Sequence, residues 1–156
     1  MAHPLLPIVD EVLAKLTDAT LRLSEAAKWA DRDRAELTPL ALLGGPIKYW
    51  KWHKAKQAVG EAVKLIDTLR TRSAEARDLP ELAAEFSKLD MVNDMFDLLP
   101  FNVRRVGTKG GPSPIKQQLG VETTVLNQIE TTRTTVEHAL SEVGLLHARL
   151  RASAAG

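Results

Sequence analysis

The chain has 156 residues, one domain's worth of sequence on a prior of roughly 100–200 residues per domain. Its 21 basic and 20 acidic side chains leave a formal charge of +1, and 44% of residues are hydrophobic against 26% charged. That balance excludes a disordered chain and a strongly cationic nucleic-acid binder, and the absence of cysteine removes disulfides, thiolate zinc sites, iron–sulfur clusters and cysteine nucleophiles.

Residues 1–11 read MAHPLLPIVDE, with two prolines and an Asp-Glu pair where a secretory signal needs a basic start and an unbroken apolar run. The most apolar stretch, residues 37–47, contains prolines and glycines and is shorter than the ~20 residues that cross a bilayer as a helix. The expectation is a cytoplasmic chain, possible membrane contact being peripheral.

The first segment carries the clearest pattern. Leu5, Val9, Val12, Leu16, Ala19, Leu23, Ala26 and Ala30 alternate spacings of four and three, a heptad seam. Leu6, Leu13 and Ala27 widen the stripe, so a helix over about 5–36 should face more than one neighbour. Residues 37–46 form a corner in which Gly44-Gly45-Pro46 should break any short turn opened at Thr38-Pro39. A second helix is predicted over 46–73, with Ile47, Ala55, Ala58, Ala62, Leu65, Ile66 and Leu69 facing the core. Asp78 and Pro80 then open a third helix over 80–99, its stripe Leu82, Phe86, Leu89, Val92 or Met91, Phe96 and Leu99.

Residues 101–114, rich in glycine and proline, read as a flexible linker. A fourth helix over 114–151 repeats the heptad spacing through Val125, Ile129, Thr132, Val136, Ala139, Val143, Leu146 and Leu150, broadened by Leu126, Leu140 and Leu145. Its threonine pairs are mediocre helix formers, so packing must hold it. The small-residue tail 152–156 should fray. No segment alternates with period two. The expectation is a single all-α domain over 1–156, an antiparallel four-helix bundle with long first and fourth helices.

Catalytic patterns are missing. No Gly-x-Ser-x-Gly or Glu-x-x-His occurs, the histidines are not spaced as ligands, and the stretch 107–113 lacks phosphate-loop spacing. Asp90, Asp94 and Asp97 share a helical face, which reads as a solvated or lysine-neutralised surface before a cation site. We therefore expect no catalytic residues, no cofactor and no metal.

The unusual segment is residues 47–56, which holds two of the three tryptophans, the only tyrosine, four lysines and no acid. At 100° per residue the core stripe of this helix occupies an arc of about 140°. Trp52 sits at its edge, and Tyr49 and Trp50 fall outside it. Exposed aromatics beside Lys48, Lys51 and Lys54 suit a protein contact or the headgroup level of a membrane. Arg104 and Arg105 add a second basic point. The expected function is a non-enzymatic interaction and assembly module, self-associating or partner-binding, with these eight residues as contacts. The alternative is a peripheral, membrane-perturbing bundle that engages lipid through 47–56. Single-stranded nucleic acid ranks lower, because the overall charge is balanced and the third helix is acidic.

Overall fold

The computed structural model of the chain describes residues 4–35, 39–75, 83–99, 101–103 and 122–155. Four helices, and no strands, occur among these residues: α1 (Leu6–Ala35), α2 (Pro39–Glu75), α3 (Ala83–Asp97) and α4 (Glu122–Ala155). α1 packs on α2 and α4, and α3 on α2 and α4, so the helices form a closed four-membered ring around one core. Two ion pairs show the relative direction of α1 and α2. Lys15 meets Glu61 at 3.2 Å and Glu25 meets Lys51 at 2.7 Å, so the partner on α2 retreats from 61 to 51 as α1 advances from 15 to 25. The helices run antiparallel. His147 Nε2, 2.8 Å from the Asp10 carboxylate, joins the far part of α4 to the first turns of α1.

The α1 seam is buried as its spacing requires, from Leu5 through Ala30, with Ala27 buried and Leu6 and Leu13 half-buried at its flanks. In α4 the expected core runs from Ile129 to Leu150, and Thr132 and Thr135 lie within it. The threonines are compatible with the helix because their hydroxyls have an acceptor. Thr132 Oγ1 donates to the carbonyl of Gln128 at 2.7 Å, Thr134 to Glu130 and Thr135 to Thr131, each at 3.1 Å. A buried hydroxyl bonded to its own preceding turn needs no other polar neighbour.

Several expectations change. α2 does not break at Gly44-Gly45-Pro46 but begins at Pro39, which makes it the longest helix at 37 residues, beside 30 in α1 and 34 in α4. These residues can all hold helical dihedrals. The interior proline removes one ladder bond and the glycines lower propensity, without closing off the helix. Leu145 and Met91 are exposed, at 51% and 53%, and Val92 takes the core position on α3. α3 ends at Asp97, where Leu98 and Leu99 donate to the carbonyls of Met95 and Phe96 in a tightened last turn. The residues that follow are not linker. Val103 is buried and Phe101 packs on the core. Residues 152–155 continue α4 rather than fraying. The expected helical residues 36, 80–82 and 114–121, and the linker from 104 onward, lie outside the described residues.

The core of α2 has two seams. Ala55, Ala58, Ala62 and Leu69 form one, and Lys51 and Glu61, which flank it, reach α1. Trp52, Lys56, Val59, Val63 and Ile66 form the other, again at alternating spacings of four and three. On its side Arg70 meets Asp90 of α3 at 2.7 Å and Trp52 meets Phe101. Two neighbours require two seams.

One glycine is dispensable. A Cβ built on Gly144, in the middle of α4, meets nothing within 4 Å. Gly144→Ala is expected to stabilise the chain by roughly 0.5–1 kcal/mol, read by urea denaturation, because the unfolded chain loses backbone freedom while the fold gains no clash.

Candidate aromatic and cationic contact site

The middle of α2 turns Trp50 outward and Trp52 inward. Two residues are 200° apart around a helix, so the two rings cannot share a face. Trp50 is 50% exposed, with the Lys54 ammonium 4.9 Å from its ring centroid and the His53 ring 5.9 Å away at a tilt of 34°. Lys54 stands one turn after Trp50, which is why a cation falls over the indole face. Lys51 points the other way and is engaged by Glu25 of α1. This ion pair draws the Glu25 carboxyl below its ordinary range.

Trp52 is 1% exposed and meets the Phe101 ring edge-on at 5.5 Å and 82°. It is a core residue, which corrects the expectation that it joins the contact face: the second seam carries it toward α3. Of the other expected contacts, Lys48 and Tyr49 lie within α2 with side chains outside the described residues, and Arg104 and Arg105 lie outside them altogether. Trp50 and Lys54 are therefore the two that the fold brings together on a described surface.

Sequence reasoning passed over Lys56. Its side chain is 3% exposed, with Nζ 5.2 Å from the Trp52 ring centroid and 5.7 Å from that of Phe101. Removal from water disfavours the ammonium and pushes its pKa down to about 8. His53, on the same helix, is also lowered, first by burial and then by the charges of Lys56 and Lys54. The missed signal was the four–three spacing that links Trp52, Lys56, Val59 and Val63.

The acidic surface of α3 is in part neutralised across the helix pair, since Arg70 holds Asp90. No group of three or more potential metal ligands occurs among the described residues. No helix there is long and apolar enough to cross a membrane. Neither a known family, nor a curated protein, nor a solved structure matches this chain.

Proposed function

We propose that the chain is a non-enzymatic helical module for protein interaction and assembly, cytoplasmic, whose contact face centres on Trp50 and Lys54 of α2. The observation that carries this reading is a large indole, half in water with an ammonium over its face, on a bundle whose other tryptophan on α2 is enclosed. Aromatic rings beside cations are the side chains that dominate protein contacts when desolvated. The seams of α1 and α4 are used up inside the chain, so they are not the source of assembly. Outside those seams the two helices expose Leu21 and Leu145.

The test is sedimentation across a concentration series, and against candidate partners, for the natural chain and Trp50→Ala. The substitution is expected to weaken association while changing unfolding free energy by less than about 1 kcal/mol, the scale of an exposed cation–π contact. A stability loss of several kcal/mol would make Trp50 a packing residue and overturn the reading. The same indole–ammonium pair also suits a lipid headgroup layer. Flotation of a monomeric chain with anionic vesicles, and not with neutral ones, would replace the protein partner with a membrane surface.

A further inference from the structure

α3 carries two apolar stripes. Leu89, Val92, Phe96 and Leu99 form the one that faces the core. Met91, Met95 and Leu98 form the other, again at spacings of four and three, and Asp94 lies beside them between Met91 and Leu98. Met95 is half-buried, whereas Leu98 is 84% exposed, more than any other large hydrophobic among the described residues. Single exposed leucines are ordinary. Leu21 and Leu145 are of that kind, because the positions three and four away from each hold only polar residues or alanine. Met91 and Leu98 instead share one side of a short helix, and an apolar stripe left in water marks a contact surface.

The charge on that stripe is opposite to the charge at Trp50. Lys88 of α3 is drawn to Glu142, Arg70 of α2 holds Asp67 and Asp90, and no described cation pairs with Asp94. Asp97 is engaged within the chain. On α2 the situation is reversed. Glu25 is held by Lys51 and Glu61 by Lys15, and no described carboxylate pairs with Lys54, whose ammonium lies over the indole. One helix thus shows apolar surface beside an open cation, and another shows apolar surface beside an open anion.

Neither face suits a copy of itself. Two α3 stripes laid together about a twofold axis would oppose Asp94 to Asp94, and two α2 faces would oppose Lys54 to Lys54. Each suits the other. We propose that the α3 face of one copy, formed by Met91, Asp94 and Leu98, docks on the Trp50 and Lys54 face of a second copy. Asp94 then pairs with Lys54, and the apolar side chains cover the indole. This rests on the contact-face reading above and names the partner as the chain itself.

Sedimentation velocity of the full chain over a concentration series tests it, with circular dichroism to show that each variant is folded. The natural chain is expected to associate as concentration rises. Trp50→Ala and Leu98→Ser, both at exposed positions, should each stay monomeric at concentrations where the natural chain is assembled. Mixed in equal amounts, they should form a species of two copies and nothing larger, since each supplies the face that the other lacks. Lys54→Glu and Asp94→Lys should each weaken association by about tenfold or more, and the chain carrying both should recover it. A natural chain that stays monomeric, a mixture that stays monomeric, or a double charge exchange no better than either single one overturns the proposal. The two readings fail separately. A chain that is monomeric alone, yet loses a foreign partner through Trp50→Ala, keeps the contact face and removes only the second copy. Association lost through Leu98→Ser and unaltered by Trp50→Ala removes the contact face as well, and a monomer floated by anionic vesicles removes both.

Discussion

Trp52→Ala is expected to lower the unfolding free energy by about 3–5 kcal/mol, the range for emptying a core of a large aromatic side chain. Trp52 is among the largest fully enclosed side chains among the described residues, and its loss acts through more than volume. The edge-on contact with Phe101 goes with it, and that contact holds the residues after α3 against the core. So does one of the two ring faces that cover the Lys56 ammonium. The three effects share atoms, so they should not add. A double-mutant cycle between Trp52→Ala and Phe101→Ala should return a coupling of about 0.5–1.5 kcal/mol. Urea denaturation of the four proteins measures it. A Trp52→Ala loss below about 1 kcal/mol would mean that the second seam is not part of the core, since losses of that size belong to surface positions.

The second large effect concerns pH. The pKa of Lys56 falls from an ordinary 10.5 to about 8 in the folded chain, by burial. Well below pH 8 the amine is protonated in both states, and the folded state bears the cost of a charge largely removed from water. Between the two values the unfolded chain binds a proton that the folded chain does not, so stability rises with pH. The difference of 2.5 units (10.5 − 8) corresponds to an upper figure of about 3 kcal/mol gained between neutral and strongly alkaline solution. Other groups titrate in the same range, so the measured quantity is the difference between the natural chain and Lys56→Met. That variant is expected to be more stable at neutral pH, with the advantage vanishing as pH passes 10.5. A constant difference across the range would show that Lys56 is not enclosed as charge.

These expectations separate what could be read from residue spacing from what could not. The α1 seam was legible in full because each of its positions is apolar and faces the interior, so periodicity alone located it. α4 was nearly as plain, with Thr132 counted correctly as core despite its hydroxyl. Its bond to Gln128 explains why a threonine can stand there. α2 was read with one seam because its second is interrupted by a lysine, and a charged residue resets a search for apolar repeats. The start of the same helix was missed for another reason. Glycine and proline lower helical propensity locally, whereas the helix extends through them in the folded chain.

The aromatic and cationic surface of α2 was half legible. Angular position separated Trp50 from the core correctly, but it left Trp52 at the edge of an arc drawn for one neighbour. With α1 on one side and α3 on the other, the arc widens and takes the second indole inside. Lys51 illustrates the limit of composition. It belongs to the basic run, yet its charge is spent on Glu25, and only the fold of α1 beside α2 discloses that.

The alanine-lined side of α2 meets an α1 seam that is itself rich in alanine, at positions 19, 26 and 30. Such narrow side chains leave neither rod room to accept a bulkier neighbour alone. Widening one requires trimming its opposite number, so the two surfaces should drift through evolution as a matched couple, and variants of this protein should show paired exchanges of size there rather than independent ones.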